Sequence, residues 1–451
     1  MADTLARLPN ESAQWLTKPF RRFLRIESAG GAVLLLSAIL ALFLANSAWS
    51  MTFLSFWDTP VAIRLGSLDI SRTLRYWIND GLMTLFFFLV ALELKRELVL
   101  GELRNLRTAT LSLAAAIGGM IVPVSLFLSI AGDASGSNGW GAVMATDTAF
   151  VVGCLALLGT RVPHSLRLFL LSLAIFDDIG AILVVAIGYG SALDWVALSL
   201  AGLGIATVVW FAHLGVRSIT FYFTVGILIW IAMDSSGLHP TLAGVVLGLL
   251  TPARSWVNDT RLRAILNRVV AYTPGEHWSG DTVERHDLRR AGVAVREALS
   301  PLERLEISLH PWVAFFIMPL FAFANAGVQI ASPDLGGTIA IAISVGFIIG
   351  KPIGVIVFSY LGVACRLAAK PADLSWGVLA SGGLLTGIGF TMALFIAQMA
   401  FPPNVLNSAK LSILGGSAVA ATSGVLALAW STSSARGSGN GGVLSPENKD
   451  H

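Results

Sequence analysis

Long apolar runs separated by short polar stretches dominate this chain. A helix that crosses a bilayer needs about 20 predominantly apolar residues. Twelve stretches approach that length, at residues 30–49, 76–94, 108–131, 139–159, 164–189, 194–214, 217–233, 238–251, 310–329, 337–362, 376–400 and 408–430, the eighth being short. The pattern therefore predicts an all-α polytopic membrane domain over 30–430, preceded by a charged segment at 1–29. The Ser/Gly-rich stretch 431–451 reads as a disordered tail. One connection has a different period. Val61, Ile63 and Leu65 alternate with Ala62 and Arg64, Gly66-Ser67 interrupts, and Leu68 and Ile70 resume the alternation. That is the pattern of a β-hairpin between the first two spans. Its open edges suit pairing with a second copy, and a lid on its own subunit fits the same pattern. The long connection 252–309 is polar and arginine-rich, with surface helices expected at 261–270 and 285–298.

Composition supports the membrane reading. Of 451 residues, 55% are hydrophobic and 13% charged, against about 25% charged in a soluble domain. An ordinary soluble enzyme is excluded. Thirty basic and 27 acidic residues leave a formal charge of +3, too balanced to suggest a nucleic-acid partner. Two cysteines, Cys154 and Cys365, build no disulfide framework, and no His or Cys spacing suggests a metal site or other resident cofactor.

The placement of Lys and Arg predicts sidedness. They cluster in the N-terminal segment (Arg7, Lys18, Arg21, Arg22, Arg25), after the second span (Lys95, Arg96, Arg104, Arg107), in nine arginines between Arg254 and Arg304, and at Arg366 and Lys370. The connections near 132–138, 190–193, 234–237 and 330–336 have none. Both termini are thus expected in the cytoplasm, with Arg64, Arg72 and Arg75 as exceptions on the outer side.

Ionisable side chains at mid-membrane are costly, so each is a candidate functional group. Asp177 and Asp178 sit in the middle of the fifth span, Asp147 in the fourth beside Thr146, and Lys351 in the tenth. Adjacent residues on a helix project about 100° apart, so one aspartate can face a cavity while the other faces a neighbouring helix. Close carboxylates resist ionising together. Their oxygens also suit a small hard cation such as Na+ or Li+. A proton and the cation then compete for the same oxygens, and that competition alone produces antiport. An interhelical salt bridge without transport is the plainer alternative. Glycines add a second feature. The eleventh span contains Gly383, Gly387 and Gly389, and the fourth carries Ala145-Thr-Asp-Thr at mid-depth. The two occupy the middle of the groups formed by spans 3–5 and 10–12, and interrupted segments at corresponding positions in two repeats mark a transporter site. Close helix packing would use the same glycines.

At these residues the chain resembles the NhaA family of bacterial Na+/H+ antiporters along nearly its whole length. The resemblance is carried by Trp77-Ile-Asn-Asp, Leu92-Glu-Leu-Lys-Arg-Glu-Leu, Ala145-Thr-Asp, Ile175-Phe-Asp-Asp-Ile-Gly-Ala, Gly237-Leu-His-Pro-Thr-Leu-Ala-Gly, Pro319-Leu-Phe-Ala-Phe-Ala-Asn-Ala-Gly-Val, Gly350-Lys-Pro and Gly387-Ile-Gly-Phe-Thr-Met, in that order. It implies twelve spans with inverted-topology repeats, spans 4 and 11 being broken. It also implies electrogenic, pH-regulated exchange of Na+ or Li+ for H+ at the bacterial inner membrane, serving sodium and pH homeostasis. A homodimer joined partly through the outer hairpin at 58–72 and embedded in membrane lipids is implied too. Residue by residue, Asp177 and Asp178 match the cation- and proton-carrying pair, with Asp147 as a further ligand of the transported ion and Thr146 beside it. Lys351 matches the lysine that pairs with an aspartate, taken here as Asp177. Glu93, Arg96, Glu97, Glu306 and His310 match a pH-responsive cytoplasmic funnel, and His239 a further pH-linked histidine. An ordinary surface ion-pair set would have the same spacing at Glu93, Arg96 and Glu97. One departure stands out: some members carry a histidine where this chain has Ile307, and isoleucine does not titrate.

Other classes fit less well. An intramembrane aspartyl protease needs Gly-x-Gly-Asp, but the glycines here lead to Phe390. A prenyltransferase needs Asp-Asp-x-x-Asp, but Asp177-Asp178 runs into Ile-Gly-Ala. No repeated filter loop suggests a channel.

Overall fold

The computed structural model describes residues 27–65, 68–101, 106–190, 193–216, 218–272, 282–330 and 336–439. The N-terminal basic cluster, the hairpin turn Gly66-Ser67, Arg104 and the end of the tail lie outside these residues. Among the described residues, nine helices are long and apolar enough to cross a membrane. Two bent pairs raise that number to as many as 11, and a shorter apolar helix spans Thr241–Leu250. The fold is thus an all-α polytopic membrane protein with one small hairpin.

Boundaries differ from the hydropathy pattern where side chains end helices. The first helix is Glu27–Ala45, not 30–49, and the chain then turns by 120° into the helix Ser50–Trp57. Asn46 makes the break. Its amide Nδ2 donates to the carbonyls of Leu42 and Val328, each at 2.8 Å, and its Oδ1 accepts from the Ile330 amide at 2.8 Å. A polar side chain bonded to backbone competes with continuation of the helix. The connection expected at 252–309 is shorter than its composition suggests, because helix resumes at Pro301 and runs to Asn325. Ser300 starts that helix in a capping box with Glu303, and Pro301 fits the first turn. The last helix, Pro403–Gly439, continues past Ser431, where the tail was expected.

The hairpin pairs Pro60–Leu65 antiparallel with Leu68–Thr73, in the register Val61↔Arg72 and Ile63↔Ile70. Thr73 then caps the next helical turn by accepting from the Tyr76 amide.

The described residues fall into two compact units. One takes the described residues within Met1–Ile78, Thr110–Val185 and Ala314–His451, the other those within Asn79–Ala109 and Ala186–Val313. Glycine sets the closest packing in the first. Gly118 and Gly354 bring the helices Leu106–Ala131 and Thr338–Ala364 into backbone contact, with the Phe358 ring over the same point. Helices approach this closely only where no Cβ intervenes. In the second unit, Gly244 and Gly248 press the short helix Thr241–Leu250 onto Thr84, Phe88 and Ala91. At 10 residues this helix has half the length needed to cross a bilayer. Lys95 Nζ donates to the terminal carbonyl of Leu249 at 2.6 Å. That contact supplies a partner for a carbonyl the helix cannot satisfy itself and places positive charge at the negative helix end.

Candidate ion-exchange site

Two interrupted segments cross in the first unit. Residues Ser137–Met144 form a 3-10 helix, the backbone is extended at Ala145 and at Asp147, and α-helix begins at Thr148. The second interruption lies between Trp376–Leu385 and Phe390–Ala400, which are bent by 48°. Gly387 and Gly389 sit in it, against the Phe347 carbonyl and the Phe347 ring respectively, where a Cβ would collide. The Asp147 amide donates to the Ile388 carbonyl at 2.7 Å, so backbone groups freed by one break are satisfied by the other.

Asp147 is held at this crossing and is fully buried. Its Oδ1 accepts from the Phe150 amide at 3.0 Å, capping Thr148–Leu158. Its Oδ2 accepts from the Thr391 amide at 3.0 Å and the Thr391 hydroxyl at 2.5 Å, in the first turn of Phe390–Ala400. One carboxylate therefore faces the positive ends of two helices. Thr391 is a site residue the sequence reading missed. It stands in the Gly-Ile-Gly-Phe-Thr stretch already singled out, but only the crossing shows what its hydroxyl meets.

Asp177 and Asp178 are buried within the helix His164–Gly188. Asp177 Oδ2 accepts from Lys351 Nζ at 2.9 Å and from Thr146 Oγ1 at 2.5 Å. Lys351 also donates to Thr146 Oγ1. Thr146 has a single O–H, which can point either to Asp177 or to the Thr386 carbonyl at 3.2 Å. Asp177 Oδ1, also buried, accepts no hydrogen bond among the described residues. Asp178 projects elsewhere, toward Thr148, whose hydroxyl donates to Asp178 Oδ2 at 3.4 Å. Thr148, like Thr391, was not among the residues expected. Lys351 follows a π-helical stretch, Gly346–Gly350; such bulges often accompany functional sites. The structure thus brings together Thr146, Asp147, Asp177, Asp178 and Lys351. Among the described residues no group of three or more His, Cys, Asp or Glu forms a resident metal site.

The second unit holds the other expected group. Arg96 pairs with Glu306 and, at 3.0 Å, with Glu97. Glu93 lies within electrostatic reach of Glu306, Arg96 and Glu97. These three acids and one arginine gather where Leu74–Val99 meets the start of Pro301–Asn325. His310 is exposed, and among the described residues no hydrogen bond or ion pair joins it to them. Ile307 is exposed as well. His239 is elsewhere in the unit, its Nε2 2.9 Å from the Tyr189 carbonyl. Burial holds this imidazole below its ordinary value of 6.5, with the Tyr189 contact opposing the shift.

Interrupted helices crossing over buried carboxylates and a buried lysine define a class: a membrane transporter of small ions. Comparison with known proteins makes it particular. The profile of the family Na+/H+ antiporter 1 matches residues 21–428, and the chain belongs to that family. It is similar to the Na(+)/H(+) antiporter NhaA of Rhizobium meliloti (strain 1021), with 62% identity over 96% of this chain and 99% of the relative. It is also similar to the Na(+)/H(+) antiporter NhaA 2 of Vibrio vulnificus (strain CMCP6), 53% identical over 95% of this chain and 96% of the relative. The NhaA protein of Rhodopirellula baltica is 49% identical over 92% of this chain and 94% of its own length.

Proposed function

We propose that this protein exchanges Na+ or Li+ for H+ across the bacterial inner membrane, at the Asp177–Asp178 pair, by alternating access. One observation carries the reading. Asp177 is buried with one oxygen tied to Lys351 and Thr146 and the other without a hydrogen bond among the described residues, next in sequence to a second buried carboxylate. A small hard cation gains oxygen ligands from the pair. When it binds, the carboxyl protons leave, and the Lys351 ion pair is loosened or Lys351 itself gives up a proton. When protons return, the cation loses its ligands and departs to the other side. Exchange is electrogenic whenever more than one proton moves against one monovalent cation.

Asp147 serves this cycle by fixing the crossing of the two breaks, since both its oxygens already accept hydrogen bonds. Its place as an ion ligand then requires one of those bonds to open. Spans 3–5 and 10–12 form the inverted repeats of a twelve-span protein whose termini both lie in the cytoplasm. Glu93, Arg96, Glu97 and Glu306 set the pH response, with His310 and His239 acting apart from them. A second copy pairs through the hairpin at 58–72.

The test is Na+- or Li+-induced collapse of a proton gradient in inside-out vesicles, scanned over pH, for the wild type beside Asp178→Asn. Cation-dependent collapse that the variant loses supports the reading. An unchanged signal in Asp178→Asn moves the exchange away from this pair. No signal in either, with folded protein present, overturns the sodium assignment.

A further inference from the structure

The arginine-rich connection is organised, and its organisation points outward. Helices Asp259–Val270 and Val283–Ala298 pack together. The second buries Asp287, Ala291, Ala294 and Glu297 along one face. Asp287 there accepts from the Tyr272 hydroxyl at 2.7 Å and pairs with Arg268 and Arg290. A different face stays uncovered. Leu288, Val295 and Leu299 follow one another at helical spacing and are 43%, 53% and 45% exposed. At 100° per residue this apolar strip lies roughly 120° around the helix from the buried face. Beside it run Arg285, Arg289 and Arg296 on the adjacent strip. A helix with an apolar stripe flanked by arginines has the make-up of one that lies in a bilayer interface.

The tether decides the occupant. Glu297 accepts from Arg304 at 2.9 Å, its carbonyl accepts from the Val257 amide at 3.3 Å, and the Leu302 amide donates to the Pro252 carbonyl at 3.2 Å. Both ends of this helix pair are therefore fastened at the mouths of two apolar helices, Thr241–Leu250 and Pro301–Asn325. Only Leu299 and Ser300 separate Ala298 from Pro301, and those three steps of chain reach about 10 Å. The strip cannot move far from the bilayer that holds those helices. Trp256, 55% exposed, stands at the other end of the fastening, and tryptophan favours the headgroup level. An apolar strip within reach of a lipid surface, with guanidinium groups alongside, matches phosphate-bearing headgroups over acyl chains. We propose that Val283–Ala298 lies on the membrane, with Leu288, Val295 and Leu299 at the acyl boundary and Arg285, Arg289 and Arg296 on anionic lipid headgroups.

The test uses the full chain with Cys365→Ser, reconstituted in phosphatidylethanolamine vesicles with or without phosphatidylglycerol. A fluorescent label is placed at Val295→Cys, on the strip, and in a second sample at Val293→Cys, off it. Bromine-bearing acyl chains should quench the Val295 label several-fold more than the Val293 label, and more so with phosphatidylglycerol present. Neutralising each of Arg285, Arg289 and Arg296 to Gln should weaken that anionic preference by about fivefold. Equal quenching of both labels by aqueous iodide, without lipid quenching, overturns the proposal. Shielding of Val295 from both quenchers also overturns it, and would mean that a second copy or another protein covers the strip. The readout does not depend on transport, so it stands or falls separately from the exchange reaction.

Discussion

Removing Lys351 should be more damaging than removing Lys351 together with its partner. Lys351 and Asp177 side chains are both inaccessible to solvent, and the ion pair is 2.9 Å long. In Lys351→Met, Asp177 keeps only the Thr146 hydroxyl, and a buried carboxylate is left without a countercharge. Breaking a buried pair in this way costs about 3–5 kcal/mol. In Asp177→Asn the ammonium is stranded instead, and the expected loss is similar. In the double variant Lys351→Met/Asp177→Asn neither charge remains, and replacing a buried pair by neutral groups is often neutral to stability. The assay is the apparent unfolding midpoint of purified protein in one detergent at one heating rate, measured for all four members of the cycle. The single variants should each lower the midpoint, and the double should recover most of the loss. If the two losses simply add, or if each stays within about 0.5 kcal/mol, the pair is not coupled as its geometry requires. Exchange by the double variant, assayed in vesicles, then separates the structural part of the pair from its part in transport.

Three further outcomes follow from contacts elsewhere. Thr391→Val removes the hydroxyl that donates to Asp147 at 2.5 Å and keeps the side-chain shape; it should cost about 1–3 kcal/mol and impair exchange, whereas Thr391→Ser should restore both. Gly118→Ala drives a Cβ into the Gly354 carbonyl and to 2.5 Å from Phe358 Cβ, and should lower stability by about 1–3 kcal/mol, measured by the same midpoint. His239 is held below its ordinary 6.5 by burial, so the unfolded chain takes up a proton at higher pH than the folded one. Its stability contribution is whole above 6.5 and is lost as pH falls from there through the folded value. His239→Gln should flatten this part of the stability–pH curve, and an unchanged curve would refute the assignment.

Hydropathy, the sparse mid-span charges and the period-two stretch at Val61–Ile70 were enough for the polytopic fold, the hairpin and the candidates Asp147, Asp177, Asp178 and Lys351. Each of those signals is local. Crossing a bilayer requires a length of apolar chain, a strand pair alternates, and a charge in lipid needs a reason wherever it occurs. Helix boundaries were less legible, because Asn46 ends the first helix through carbonyls at Leu42 and Val328, the latter far away in the chain. The lengths of Thr241–Leu250 and Pro301–Asn325 were similarly set by caps at Lys95 and Ser300.

Pairing was decided by tertiary structure alone. That Thr391 reaches Asp147, that Thr148 reaches Asp178, and that Asp147 spends both oxygens on helix ends all depend on two interruptions crossing, with the Asp147 amide bonded to the Ile388 carbonyl. The same holds for Glu306 meeting Arg96 while His310 stays apart. A sequence states which groups are too polar to be left alone in a membrane. Which of them satisfy one another depends on contacts between residues 30 to 244 positions apart, and no local period encodes those.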